Sequence, residues 1–306
     1  MRLGYVSNIV VRGLSIGKKW TLDEYLKNIA AIGYDCAAIF CFNGQAANPE
    51  CLKSSDREQL AQLLEELGIS ISLVGGYGGT LLTTEYGHLS NDDSEVQYIR
   101  NYMKKCIDLA VDLGCGVVGD LSGSKPDGLS AQLAWEKLSS SLGEICDYAH
   151  DKDVYVALEL GISARGAFIH SVQSFIELAK RVGSSALKLN YDPSNMILGG
   201  EERIIEDVSI VRDYIINAEV KGVTKGTMIN GYQFARPCSN SDINDHKGFL
   251  KALKNIGYNR AIAVEELPSL YGSASTTDPF DSARVAYRDV VKILEEIEFR
   301  RDMKKL

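Results

Sequence analysis

Short apolar runs rich in β-branched residues alternate with longer segments of helical period from one end of the chain to the other, about eight times over. The runs at 3–7, 36–41, 69–74, 116–121, 154–158, 187–191, 215–220 and 261–264 are mostly continuous rather than strictly alternating. Continuous apolar character predicts strands buried on both faces, with helices outside and a closed interior within. Regular strand–helix alternation predicts the α/β class and a parallel sheet rather than separate α and β blocks. Eight such units in 306 residues predict a single (β/α)8 TIM barrel, a fold that commonly takes about 250 residues, as one domain over 1–306.

The helical segments carry their own end signals. Thr21-x-x-Glu24 and Ser55-x-x-Glu58 read as capping boxes, in which side chains satisfy the free backbone donors of a first turn. Gly33, Gly68, Gly114, Gly183 and Gly257 follow periodic segments and predict helix stops in the left-handed region. The last helix is expected to start at Asp278 as cap with Pro279 in its first turn. The cluster Gly75-Gly-Tyr-Gly-Gly79 lies at a strand end without the Lys-Ser or Lys-Thr of a phosphate loop, and reads as close backbone approach to a ligand.

Composition narrows the classes of partner. The net charge is −8, so a phosphate backbone would meet repulsion and nucleic acid is an unfavourable ligand. No window offers the roughly 18 to 20 apolar residues of a membrane-spanning helix, so no membrane partner is expected. The N-terminus enters a strand without the features of a secretion signal. Seven scattered cysteines with no C-x-x-C pair fit reduced thiols, and a cytoplasmic location is expected.

Barrel active sites lie at the carboxyl ends of the strands, so polar residues that close apolar strand runs are the first candidates for chemistry. Glu159, Asp192, Glu219 and Glu265 close strands five, six, seven and eight in turn. Neighbouring strands are about 4.8 Å apart, so four inward carboxylates would converge. Like charges at that spacing either take up protons or recruit a cation, and oxygen-only ligation favours a hard ion, Mn2+ or Mg2+, over Zn2+. All four are therefore expected to hold one divalent metal ion.

The strand ends Val156-Ala-Leu-Glu159, Leu189-Asn-Tyr-Asp192-Pro-Ser-Asn195, Ala218-Glu-Val-Lys221 and Gly257-Tyr-Asn-Arg-Ala-Ile-Ala-Val-Glu265 resemble the xylose isomerase-like sugar isomerase and epimerase superfamily over most of the chain. That resemblance implies a divalent metal on Glu, Asp, His and Glu of strands five to eight. It also implies an open sugar chelated through neighbouring oxygens, and a metal-stabilised enediolate as a proton leaves carbon. Glu159 and Glu265 would then remove and return the proton from opposite faces. The sequence departs at two places: Glu219-Val-Lys221-Gly222 stands where the family commonly has His-x-Lys-Asp, and Asp192-x-x-Asn195 where many members have Asp-x-x-His. An all-carboxylate set resembles xylose isomerase itself.

Lys221, Asn195, His170 and His88 are candidate substrate contacts, with Tyr77, Phe42 and Tyr5 as an apolar wall for a carbohydrate or polyol. His150 reads as a helix-end cation, and Trp20 and Trp135 as packing residues. The resemblance implies a sugar or polyol isomerase or epimerase. The alternatives are a lyase or dehydratase using the same enediolate, and a metal-free barrel acting as a binding subunit. Barrels of this kind often form dimers or tetramers, but no interface stripe stands out in the sequence, so a homo-oligomer is compatible rather than required.

Overall fold

A computed structural model describes residues 1–7, 21–41, 47–78, 85–267 and 280–301. Eight parallel strands close into a ring: β1 (Arg2–Val6), β2 (Cys36–Phe40), β3 (Ser70–Gly75), β4 (Val117–Leu121), β5 (Tyr155–Glu159), β6 (Leu187–Tyr191), β7 (Ile215–Val220) and β10 (Ala261–Val264). Each starts and stops within one residue of its predicted bounds. The ring shuts where β1 pairs with β10, from Arg2 opposite Ala261 to Tyr5 opposite Val264.

Long helices cover the outside: α1 (Leu22–Ile32), α2 (Ser54–Leu67), α3 (Asp93–Asp112), α4 (Ala131–His150), α5 (Val172–Val182), α8 (His246–Asn255) and α9 (Phe280–Glu296). Two short helices, α6 (Pro193–Gly199) and α7 (Asp207–Ile210), replace a long one between β6 and β7. The core between helices and strands is aliphatic and aromatic, with Tyr25, Leu26 and Ile29 of α1 and Val118 and Leu158 of the strands fully buried.

The helix-end signals hold with one correction. Thr21 caps α1, accepting from the Glu24 amide at 3.1 Å while Glu24 accepts from the Thr21 amide at 3.0 Å. The second box is displaced: α2 begins at Ser54, and Asp56 rather than Glu58 reaches back, accepting from the Lys53 amide at 2.9 Å. The five predicted stop glycines all lie at positive φ, from 64° to 111°. Asp278, Pro279, Trp20, Phe42 and Gly79 fall outside the described residues.

A hairpin over the site has no counterpart in the sequence reading. Between β7 and α8 the chain forms an antiparallel hairpin, β8 (Gly222–Ile229) and β9 (Tyr232–Ala235). Its two-residue turn is Asn230-Gly231, at φ 52° and 83°, the left-handed pair that a tight hairpin requires. At its base a Cβ on Gly222 would stand 2.6 Å from the Ala235 carbonyl oxygen, so the approach admits only glycine. Val223 and Phe234 of the hairpin bury a small second core with Ile162, Leu198 of α6 and Leu267, above the carboxyl ends of the strands.

Candidate functional site

Strand periodicity of two sets the site. Asn190 and Asp192 are two apart at the end of β6, and Asn217, Glu219 and Lys221 are spaced by two along and just beyond β7, so each set points to one face. Charge and amide groups gather on the β5–β6–β7–β10 side. Asn190 donates through Nδ2 to Glu219 Oε1 at 2.8 Å and to Glu159 Oε2 at 3.2 Å. Asn217 donates to Asn190 Oδ1 at 2.8 Å, fixing which way that amide faces. Asn195, one of the predicted contacts, donates to Glu159 Oε1 at 2.6 Å.

Asp192 is the N-cap of α6, where it accepts from the Ser194 amide at 2.8 Å and from the Asn195 amide at 3.4 Å. Pro193 fits the first helical position, so Asp-Pro-Ser-Asn opens a helix. The cap uses Oδ1 and leaves Oδ2 facing the site. One oxygen each from Glu159, Asp192 and Glu219 lie within 4.8 Å of one another.

Lys221 enters this group as its cation. Its Nζ lies 2.6 Å from Asp192 Oδ2 and 3.5 Å from Glu219 Oε2, and pairs closely with Glu265 Oε2. The lysine side chain is 4% exposed and its ammonium also sits 5.4 Å from the Phe234 ring centroid. Burial alone would lower its pKa, but Asp192, Glu265, Glu219 and Glu159 outweigh that and hold the ammonium protonated well above the usual lysine range. Burial pushes the Glu159 carboxyl up to about 7 against the pull of Lys221. Glu219 is held well above the usual carboxylate range by burial, with Glu159 and Glu265 adding to it.

Tyr77 was expected as part of an apolar wall, and its ring does stand at the barrel mouth, edge-on to Phe40 with centroids 5.2 Å apart. Its hydroxyl makes a hydrogen bond with Glu159, which adds a polar role. Gly75 and Gly119 make room: a Cβ on Gly75 would come within 2.6 Å of the ring and one on Gly119 within 3.3 Å of the hydroxyl. The tyrosine backbone itself is left-handed, φ 44°.

The other predicted contacts are not brought to this cluster. His88 is fully buried in the helix layer, with Nδ1 2.9 Å from Ser141 Oγ of α4 and Nε2 2.9 Å from Asp120 Oδ2 of β4. Arg100 donates to the same Ser141 hydroxyl at 3.1 Å. His170 is partly exposed beside Glu201, 3.7 Å away. Tyr5 faces away from the barrel interior, packing on Tyr34 at 5.1 Å and donating to Glu266 at 2.7 Å. Trp135 packs on Phe168, and His150 closes α4. Sequence reading missed Asn190 and Asn217; counting back by two from Asp192 and Glu219 along their strands finds both.

The donor set fits a hard cation. It is all oxygen, three of its ligand atoms already lie at the spacing of ligands around one ion, and buried Glu219 Oε2 makes no hydrogen bond, its neighbour being the Lys221 ammonium at 3.5 Å. Comparison with known proteins agrees on the fold. The family described as xylose isomerase-like TIM barrel matches residues 26–297. Among solved structures the chain is similar to the IOLI protein with a binding zinc atom, at 17% identity and TM-score 0.78, covering 97% of this chain and 99% of that one. It is also similar to a D-tagatose 3-epimerase-like protein, at 18% identity and TM-score 0.75, covering 97% and 100%. D-psicose 3-epimerase with D-tagatose from Clostridium cellulolyticum H10 follows at 14% and 0.71, covering 98% and 99%. At these identities the likeness carries the fold alone. No curated protein sequence matches the chain. Among the described residues no helix is long and apolar enough to cross a membrane.

Proposed function

Because the chain belongs to the xylose isomerase-like TIM barrel family, we propose that it is a divalent-metal-dependent isomerase or epimerase of a sugar or polyol. The observation that carries the reading is the convergence of Glu159, Asp192 and Glu219 within 4.8 Å, with Glu265 joined to them through Lys221. Glu159, Asp192, Glu219 and Glu265 would hold Mn2+ or Mg2+. The bound ion would supply Lewis-acid polarisation of neighbouring carbonyl and hydroxyl oxygens of an open-chain substrate.

The chain's own groups then move the proton. Glu159 would act as the general base that takes the proton from carbon and the acid that returns it. Asn190 and Asn195 hold its two oxygens in place, so its orientation is set before substrate arrives. Glu265, at the far end of the same arc, serves the opposite face of that carbon. Lys221 and Asn195, which now hold carboxylates of the cluster, would turn to substrate oxygens. The hairpin β8–β9 and α6 keep water from the site, where each of the charged groups is buried.

The test is turnover of a panel of ketoses and polyols by metal-stripped protein resupplied with Mn2+ or Mg2+, run in D2O. The expected result is an isomeric product carrying solvent deuterium at the reacting carbon. Glu159→Gln and Glu265→Gln should each lower kcat by about 10^3. An active double variant would end the assignment of this pair. Release of water or an aglycone instead of an isomer would move the reaction to a lyase.

A further inference from the structure

The cation-binding oxygens are already occupied by a side chain of the protein. Asp192 has one oxygen committed to capping α6 and the other to Lys221 Nζ at 2.6 Å. Glu219 gives one oxygen to Asn190 at 2.8 Å and turns the other toward the same ammonium. Glu265 completes the set around Nζ. A lysine buried to this degree, ringed by three carboxylates, sits as a bound cation would.

A divalent ion sharing Asp192 and Glu219 would come within a few ångströms of that ammonium. At that range like charges in a dry site repel by an amount that outweighs a single hydrogen bond. The lysine backbone does not yield, because its carbonyl accepts from Ser194 Oγ and, at 3.3 Å, from Asn244 Nδ2. The Phe234 ring already lies 5.4 Å from Nζ, and would keep its face to the ammonium once the carboxylates turn to the ion.

We propose that Lys221 is the resident cation of the metal-free barrel and that a divalent ion enters by displacing its ammonium from Asp192 and Glu219. The inference rests on the reading of this cluster as a metal site. Metal occupancy and the freedom of the lysine head are then one equilibrium: the ion frees a donor for substrate oxygen, and the empty site withdraws it.

The experiment is calorimetric titration of MnCl2 into EDTA-stripped wild type and Lys221→Met, with Lys221→Gln as a second variant that keeps a donor. Where a variant does not refold without metal, the constant comes from competition of the Mn2+-loaded protein with a fluorescent chelator. Removing a like charge next to the ion should tighten Mn2+ binding by at least about tenfold in Lys221→Met. Equal or weaker binding by both variants overturns the exchange and leaves the metal-dependent reading standing. Binding by the variants but not by wild type overturns the exchange, because the ammonium then excludes the ion, and defeats metal dependence of the natural protein. Failure of all three to bind Mn2+ ends both.

Discussion

Glu159 shows how far one side chain depends on its surroundings. Its carboxyl is raised to about 7 chiefly by burial, so the folded protein holds a proton there that an unfolded chain, near 4.5, releases. A raised folded pKa means stability that is fully present below about 4.5 and lost as pH climbs through 7, a difference of roughly 3 kcal/mol for this shift. Metal-free protein should therefore melt at lower temperature at pH 8 than at pH 5, with a shallower slope in Glu159→Gln; parallel profiles for the two proteins would refute the burial argument. The proposed Mn2+ would bind the ionised form, so its stabilising effect should grow over the same interval. The acidic members of the site were legible from the chain, since each closes an apolar run. The amides were less so, because Asn190 and Asn217 interrupt otherwise apolar strands and gain meaning only from standing two residues before Asp192 and Glu219.

At the scale of elements, the barrel strands were legible because a strand buried on both faces leaves a continuous apolar mark. The hairpin left a weaker one. Its strand Gly222–Ile229 alternates small, polar and apolar residues without a run, and only the Asn230-Gly231 pair announces it. Helix α6 was hidden for a different reason: seven residues hold too few turns to show a period, and Asp192 reads as a turn former until its capping bonds are seen. The hairpin's base depends on one buried carboxylate. Asp242 accepts from the amides of Val223 at 2.9 Å, Asn244 at 3.0 Å and Cys238 at 2.8 Å, and pairs with His246 at 2.6 Å. Asp242→Ala would strand those donors and should cost about 3 kcal/mol in urea unfolding, with the roof over the site loosened as well. A variant as stable as wild type would mean that water replaces the carboxylate.

Across the whole molecule, the ring is closed by contacts distant in sequence. Arg301, beyond α9, donates to Asp35 at 2.7 Å and to the Gly33 carbonyl at 2.8 Å, while Asp35 also accepts from the Leu3 amide at 2.8 Å. The segment after α9 is thus tied to the α1–β2 turn and, through Asp35, to β1. Closure also determines what can be watched from outside. His88 is one of only four histidines and is sealed between α3, β4 and α4. With Asp120 as acceptor, its Nε2 carries the proton, and a proton aimed at a buried carboxylate should resonate far downfield in NMR. Solvent reaches it only when those three elements part, so its exchange lifetime should track the free energy of global opening, rising with Mn2+ and falling with urea. A signal lost within milliseconds would mean that the barrel wall breathes locally. Otherwise this imidazole is a natural clock for the entire ring.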